Sequence, residues 1–467
     1  MCLLRQTGTQ AGVLGEGILI GMKMKLPKSV NQIICSLQTA GYDAYAVGGC
    51  VRDALLGREP QDWDITTSAT PEVVKSLFPH TIDTGIVHGT VTVMQNHVGY
   101  EVTTYRIDGE YADGRHPNEV TFTDNLLEDL RRRDFTINAM AYNDERGLVD
   151  AFEGEEDLAR GILRCVGDAH ERFSEDALRM LRAVRFAAQL GFAIEERTAQ
   201  AIRELSGTLE KVSAERIQTE LLKILTSDHP EELRQAWELG LTAVFLPEFD
   251  CMMKAPQNNK HHCCSVGEHT LRALQEVQKD KVLRLTMLLH DVAKPACTSE
   301  DENGSQHFYG HPELGADMAR QILRRLKFDN DTTARVCALV CFHDERPPLQ
   351  EHILRRFVSR VGQERIPDLL AVKRADTLAQ STYHRQEKLE YVEALAKMYT
   401  RFLEERQCLR KQDLAVNGKD LIALGIEPGP RIGAALDELL ERVLDEPALN
   451  TKEKLLTLAH NFITPSI

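Results

Sequence analysis

The sequence has no apolar run of the roughly 18 or more residues needed to span a bilayer. Its most lipid-like stretch, residues 11–21 (AGVLGEGILIG), has no basic segment before it and no small-residue cleavage site after it, so it does not read as a signal peptide. The 11 cysteines lack any repeated spacing, which excludes a disulfide scaffold in a chain of this length. Scattered thiols without a secretion signal point to the reducing cytoplasm. There is no excess of positive charge either. A formal net charge of −15 excludes a protein that coats nucleic acid non-specifically, so any such contact has to come from local basic faces. Neither an internal repeat nor a low-complexity tract is present.

What remains is a chain of 467 residues, 42% hydrophobic and 27% charged, ordinary for a soluble protein of several domains with no membrane partner. Residues 42–150 carry short β-rich runs (Tyr45-Ala46-Val47, Thr90 to Met94, Tyr100 to Tyr105, Val120 to Phe122) broken by Gly, Asp and Pro. From about Asp157 the period changes to that of helices rich in Ala, Leu, Glu and Arg. The pattern predicts an α/β head followed by an all-α remainder. Breaks near 228–230, 254–260 and 416–418 divide it into an N-terminal extension (1–24), a head (25–155), a neck (156–228), a middle helical domain (229–380) and a tail (381–467). The pattern begins near Leu26, which makes Met22 or Met24 a candidate start.

The strongest local signal is Val47-Gly48-Gly49-Cys50-Val51-Arg52-Asp53 followed by Asp62-Trp63-Asp64-Ile65. It reads as a strand, a Gly-Gly turn and a helix. Glycines let backbone N–H groups approach phosphate oxygens, and the helix N-terminus adds its dipole. On a strand, Asp62 and Asp64 would point to one side, a pair of hard oxygen ligands suited to Mg²⁺. Either piece alone reads more simply as a GG turn or two solvated aspartates; the two at this spacing favour a site. GGxxRD followed by DxD resembles the nucleotidyltransferase head of the DNA polymerase β superfamily. Further on, Arg132-Arg133-Asp134-Phe135-Thr136-Ile137-Asn138-Ala139 resembles the RRDFTINA motif of class II tRNA nucleotidyltransferases and bacterial poly(A) polymerases. The resemblance implies a polymerase β-like α/β head in which Asp62 and Asp64 hold Mg²⁺, and Gly48, Gly49, Arg52, Arg133, Asp134 and Asn138 contact the nucleotide. Arginine forks match phosphate oxygens and an Asn amide suits a ribose hydroxyl. Glu101 is a third metal ligand if its strand lies beside that of Asp62 and Asp64, and otherwise an ordinary exposed strand residue. The loop 108–118 resembles the flexible loop that CCA-adding members use in moving from CTP to ATP.

Ser174-Glu175-Asp176-Ala177-Leu178-Arg179 is predicted to open a helix with Ser174 as N-cap. Asp176, Arg179 and Arg182 then share a face, while Leu178, Leu181 and Val184 line another. The segment resembles the EDxxR motif of class II CCA-adding enzymes. By that resemblance Asp176 and Arg179 choose the base, with Arg182 and Arg185 near the nucleotide. A carboxylate accepts from an exocyclic amine and an arginine donates to ring acceptors, so the pair complements C and A but not G or U. The plain alternative is an i, i+3 surface salt bridge between Asp176 and Arg179. Residues 150–158 resemble the family's linking motif, and Glu215-Arg216-Ile217 with Glu220-Leu221 another short helical motif.

In the middle domain, His269, the pair His290-Asp291, His311, His343 and Asp376 resemble the ligand pattern of HD phosphohydrolases. Mixed imidazole and carboxylate ligands suit a divalent transition metal. The resemblance implies His269, His290, Asp291 and Asp376 as ligands, with His311 and His343 for a second ion or a phosphate; in some relatives such a domain hydrolyses phosphoesters and in others it is structural. His261-His262-Cys263-Cys264 lacks a second ligand pair and reads more simply as a helix entrance than as a zinc site. Basic residues of the segment 351–411 (Arg355, Arg356, Arg360, Lys373, Arg374, Arg385, Lys388) and a helix start at Asn417-Gly418-Lys419 are candidate contacts for RNA phosphates.

Together these signals predict addition of CCA to the acceptor arm of tRNA from CTP and ATP, with pyrophosphate released. The alternatives are a poly(A) polymerase or a CC- or A-only enzyme on the same head, and an HD-type metal-dependent phosphohydrolase acting on RNA ends. Gly85-Ile86-Val87-His88-Gly89-Thr90 lacks the basic pair that poly(A) members usually carry there. The oligomeric state is not legible.

Overall fold

The computed structural model describes residues 24–109, 120–257, 264–302 and 306–460. The N-terminal extension, the loop residues 110–118 and His261, His262 and Cys263 lie outside them. The chain divides into two units, one reaching to Asp168 and one starting at Ala169, so the head unit runs past the expected boundary at 155.

In the first unit, α1 (Lys28–Thr39) buries Val30, Ile33, Ile34 and Leu37, the i, i+3, i+4, i+7 stripe of an amphipathic helix. It leads into β1 (Ala44–Val47), whose four residues are all buried. Then come α2 (Gly49–Leu55), β2 (Ile65–Thr67), α3 (Pro71–Leu77), β3 (Thr81–Gly85), β4 (Thr90–Gln95) and β5 (Val98–Thr104). A small ladder of β6 (Arg106–Asp108) and β7 (Val120–Phe122) precedes α4 (Leu126–Arg131), β8 (Met140–Asn143), β9 (Gly147–Asp150) and α5 (Gly154–Arg160). The seven-stranded sheet has the order β3-β4-β5-β2-β1-β8-β9. The β4–β5 hairpin turns at Asn96-His97, both with positive φ, the backbone that matches strand twist in a two-residue turn. The pair β2 and β5 is parallel, with Ile65 opposite Val102. That register puts the residue before Ile65 beside the residue before Val102, which are Asp64 and Glu101.

The second unit is helical apart from short strand pieces. Its first part comprises α6 (Ala169–Glu175), α7 (Leu178–Leu190), α8 (Glu196–Leu205) and α9 (Ala214–Leu225), and short helices α10 (Leu233–Glu238), α11 (Thr242–Phe245) and α12 (Pro247–Lys254) follow. Then come α13 (Val266–Glu276), α14 (Lys281–Leu289), α15 (His311–Arg325), α16 (Asn330–Phe342), α17 (Glu351–Val361), α18 (Ile366–Ala379) and α19 (Arg385–Glu404). The chain closes with α20 (Gly418–Ala423), α21 (Pro430–Asp445) and α22 (Lys452–Ala459). Among the described residues, no helix is long and apolar enough to cross a membrane.

Candidate functional sites

The head motif gathers around the turn between β1 and α2. Gly48 adopts φ +82° as the cap of α2, and its N–H donates to the Met140 carbonyl at 3.1 Å. The backbone there is held against β8, and only glycine adopts that φ without strain. A Cβ on Gly48 would stand 2.9 Å from an amino nitrogen of Arg133, so the arginine occupies the space glycine leaves. Arg52, one turn into α2, donates to Asn138 Oδ1 at 2.7 Å and to Asp53 at 2.8 Å. Asn138 Nδ2 donates in turn to Asp134 Oδ1 at 3.1 Å. Three residues singled out in sequence thus form one buried chain of hydrogen bonds across 86 positions.

Asp62 and Asp64 do not lie on a strand as the sequence suggested; they sit in the extended segment just before β2, whose regular pairing begins at Ile65. The Asp64 carbonyl nevertheless accepts the Val47 N–H at 3.0 Å, which pins the segment to β1. Asp64 is solvent-accessible, yet the protein packed around it desolvates it and raises its pKa; Arg133 opposes this, while Glu101 and Asp62 add to the rise. Like charges felt in this way identify the place where a cation is most stabilised. Glu101 is on β5, beside β2, as its role as a third carboxylate requires.

Sequence reasoning missed Asp129, whose only signal was an acidic residue inside α4. It is fully buried, accepts from Arg132 Nε and NH2 at 3.0 and 2.8 Å, stands 3.6 Å from Arg133, and accepts from Thr66 Oγ1 on β2 at 3.0 Å. Burial opposes its ionisation, but the two arginines overcome this and hold its pKa below the ordinary value. It therefore connects the strand that follows Asp64 with the arginines of the RRDFTINA motif.

In the second unit the helix start expected at Ser174 is absent. Ser174 lies inside α6, and α7 begins only at Leu178. The break has a local cause: Asp176 Oδ1 accepts the Leu178 N–H at 3.1 Å, which makes Asp176 the residue that turns one helix into the next. The i, i+3 salt bridge between Asp176 and Arg179 is not formed. Asp176 pairs with Arg216 of α9 at 2.7 Å, and Arg179 pairs with Glu175 at 2.6 Å and donates to the Arg172 carbonyl at 3.1 Å. Each base-selecting candidate is thus held by a different partner. Leu178, Leu181 and Val184 are buried as expected. Arg185 is 7% exposed, ion-paired with Glu220 at 2.5 Å and stacked over Phe186 at 3.8 Å; Arg182 lies 5.5 Å from the same ring. The motif at Glu215–Leu221 therefore supplies the partners, Arg216 and Glu220, that fix the neck arginines and aspartate.

The six HD residues converge around Asp291. His269 Nε2 lies 2.9 Å from Asp376 Oδ1 and 3.3 Å from His290 Nε2, and His311 Nε2 lies 3.3 Å from His343 Nε2. His290 and His269 stand 3.2 and 3.7 Å from Asp291 Oδ2, and His311 and His343 stand 3.5 and 3.6 Å from Oδ1. Among the described residues, the sets of three ligand groups whose donor atoms lie within 4.8 Å of one another are both here, and both include Asp291. His290, His311 and His343 each direct Nδ1 at a backbone carbonyl (Met287, Phe308, Val340) at 2.7 Å. A proton fixed on Nδ1 leaves Nε2 as a bare lone pair, the state that binds metal. Two such lone pairs facing each other at 3.3 Å repel unless a proton or a cation lies between them. Neither buried oxygen of Asp291 accepts a well-directed hydrogen bond, although Lys294 Nζ is ion-paired to Oδ2 at 2.7 Å. Burial disfavours charge on Asp291, yet His290 and Lys294 hold its pKa well below normal, and Asp291 and Asp376 raise that of His290 against the same burial. The donor set fits divalent transition metals.

The tail arginines are mostly spent inside the protein. Arg355 is buried and donates to the carbonyls of Leu444 and Asp445; Arg356 pairs with Asp445 at 2.8 Å; Arg360 pairs with Glu345; and Lys373 caps the carbonyls of Phe342 and His343 at 3.1 and 2.7 Å. Arg385 donates to the Gln380 carbonyl and Lys388 to the Gln380 side chain, which leaves Arg374 exposed. The expected phosphate site at Asn417 is also filled: its own side chain accepts from Lys419 N and Asp420 N. The structure thus gives the basic count a packing explanation that the sequence could not supply.

A Gly-Gly turn into a helix, two aspartates entering the next strand, and an Arg–Asn–Asp network beneath them define a nucleotidyltransferase head. Residues 44–164 match the poly A polymerase head domain, residues 191–253 a model described as a probable RNA and SrmB- binding site of polymerase A, and residues 311–459 tRNA nucleotidyltransferase domain 2. The CCA-adding enzyme of Lactiplantibacillus plantarum is 36% identical over 438 residues, 92% of this chain and 95% of that protein. That of Enterococcus faecalis is 35% identical over 434 residues, again 92% and 95%. The crystal structure of the Bacillus stearothermophilus CCA-adding enzyme in complex with CTP aligns with a TM-score of 0.72 at 33% identity, covering 94% of this chain and 98% of that one. The chain belongs to the family of CCA-adding enzymes.

Proposed function

We infer that this chain completes tRNA by adding C, C and A to its 3′ end from CTP and ATP without a nucleic-acid template. The observation that carries this reading is the buried Arg52–Asn138–Asp134 chain, set against Gly48 and Arg133 and next to Asp64. In the reaction, the 3′-oxygen of the RNA bonds to the α-phosphorus, the bond from that phosphorus to the bridging oxygen breaks, and pyrophosphate leaves. The hydroxyl proton passes to solvent.

Asp62 and Asp64 would hold the divalent cation this family requires, with Glu101 as the adjoining carboxylate; the all-oxygen donor set favours Mg²⁺. When bound, that cation activates the attacking hydroxyl and stabilises the leaving oxygen. Arg133 and the N–H at Gly49 orient the triphosphate, and Arg52 and Asn138 grip the sugar and α-phosphate side. Asp176 and Arg179 read the pairing edge of C or A, each held in its working rotamer by a separate ion pair. The acceptor arm of tRNA is the RNA partner and the cytoplasm the compartment, in keeping with thiols that are all unpaired among the described residues.

The test is incubation with Mg²⁺, each labelled NTP in turn, and transcripts ending at the discriminator base or one or two Cs beyond it. Incorporation that stops after CCA, and is abolished by Asp64→Ala, supports the reading. A CC-only product, an A-only product or a long A tail overturns its specificity.

A second reading concerns the Asp291 centre. We propose that it binds divalent transition metal on His269, His290, Asp291, Asp376, His311 and His343 and hydrolyses a phosphoester. The facing Nε2 atoms of His311 and His343, and an Asp291 carboxylate that accepts no well-directed hydrogen bond, favour it. Metal analysis of the protein after dialysis against Mn²⁺ or Ni²⁺ tests it, and a His290→Ala chain that retains as much metal as the parent would sink it.

A further inference from the structure

The Asp291 centre opens into a cavity of about 550 Å³. Its lining includes Asp291, His311, His343 and Asp376 together with the cations Lys294, Arg346 and Lys388. Tyr309 also lines it and is 77% exposed, the most exposed tyrosine or phenylalanine among the described residues. The ring of His307 lies against it in an offset stack, nearly parallel at 10° with centroids 5.4 Å apart. His307 is in turn fixed by Asp301, whose carboxylate lies 3.0 Å from Nε2. The two rings line the cavity together.

A lone exposed tyrosine on a surface is unremarked solvent-facing area. This one is different in three respects: it is stacked on a second ring, that ring is tethered by the Asp301 carboxylate, and it lines a polar cavity. The offset stack on His307 steadies the ring while leaving most of it exposed to a ligand, which limits the rotamer entropy lost on binding. Arg346, which lines the same cavity, forms no ion pair with a carboxylate among the described residues, so it is available to an anion. Lys388 is partly buried, and burial and Arg346 both lower its pKa, so an anion placed between the two cations would relieve their mutual repulsion. A cavity of this volume accommodates a ligand of nucleotide size.

We propose that Tyr309, backed by His307, is the ring-recognition platform of the Asp291 centre, selecting phosphoesters in which the phosphate is attached to a sugar that carries a flat base. The proposal rests on the second reading above, because that reading places the phosphate at Asp291. It adds what that reading lacks, a reason for the centre to prefer one phosphoester over another. The shared chemistry is a base-bearing sugar phosphate, which comes either as a free mononucleotide or as the terminal nucleotide of an RNA.

The probes are AMP, ribose 5-phosphate, and a short oligoribonucleotide with a terminal phosphate, titrated calorimetrically into the Mn²⁺-loaded full chain. Tyr309→Ala and Tyr309→Phe are compared with the parent; the nucleotide site of the head is common to all three and drops out of the comparison. Base stacking predicts that the parent favours AMP over ribose 5-phosphate by about tenfold more than Tyr309→Ala does, with Tyr309→Phe like the parent. The oligoribonucleotide arm assigns the source, since an RNA end that depends on Tyr309 more strongly than AMP does is the natural ligand form. An AMP preference unchanged in Tyr309→Ala overturns the proposal. The underlying reading fails separately: if the parent retains no metal and cleaves none of these esters, the centre is not a phosphohydrolase, while the Tyr309 dependence of binding still decides whether the platform exists.

Discussion

Arg216 of α9 holds the carboxylate of Asp176 at 2.7 Å across 40 residues of sequence. A residue outside the EDxxR motif therefore fixes a residue that we propose reads the base. Base discrimination requires the carboxylate at one position, because only there does it accept from the amines of C and A and oppose the carbonyls of G and U. Loss of a hydrogen bond to a charged group costs about 1.5–3 kcal/mol. Arg216→Ala is therefore expected to lower the ratio of CTP to UTP incorporation by about tenfold or more, with catalysis by the head retained. The check is kcat/KM for each NTP on a transcript awaiting its first C.

How the two base-reading residues are held explains what was legible in sequence and what was not. The residue types at the head and neck were visible because glycines, paired aspartates and arginine runs are local patterns. The pairings were not. Arg216 and Glu220 stood in a segment resembling a short helical motif and Asp129 on a short helix, but nothing in their spacing shows which residue each one tethers. The same limit worked in reverse in the tail, where Arg355 and Lys373 looked like RNA contacts and are instead buried on backbone carbonyls. The helix break at Asp176 was missed because a short polar side chain that accepts from a backbone N–H two residues on competes with helix only where tertiary contacts support it.

Asp129 should matter to catalysis although it touches no substrate. Asp129→Asn removes the buried charge that orients Arg132 and Arg133, and breaking a buried ion pair costs roughly 3 kcal/mol. The expected outcome is a lower unfolding midpoint together with a KM for CTP and ATP raised by about tenfold, because Arg133 is no longer aimed at the triphosphate. A stability loss with KM unchanged would confine Asp129 to a structural role.

Gly48→Ala tests the turn itself. The positive φ alone costs about 1 kcal/mol for a residue with a side chain. The added methyl also meets Arg133 at 2.9 Å, and the flexible guanidinium is what yields. The stability change should therefore be small, visible as a shift of a few degrees in Tm, while kcat/KM for both nucleotides falls by a larger factor. Equal, small effects on both would mean that Arg133 is free to move without loss.

Lys373 gives a pH signature. It is 5% exposed, and burial lowers its pKa to about 8, with Asp344 opposing the shift. Between that value and the ordinary lysine value near 10.4, the unfolded chain binds more protons than the folded one, so stability rises with pH through this window. Below pH 8 both states are protonated and the fold bears the full cost of the buried charge. The integrated gain is at most about 3 kcal/mol. Urea unfolding of the parent and of Lys373→Met from pH 7 to 10 should show the parent gaining on the variant as pH rises. A difference that stays flat would mean that the three carbonyls facing Nζ, those of Phe342, His343 and Glu345, keep the ammonium charged at every pH tested.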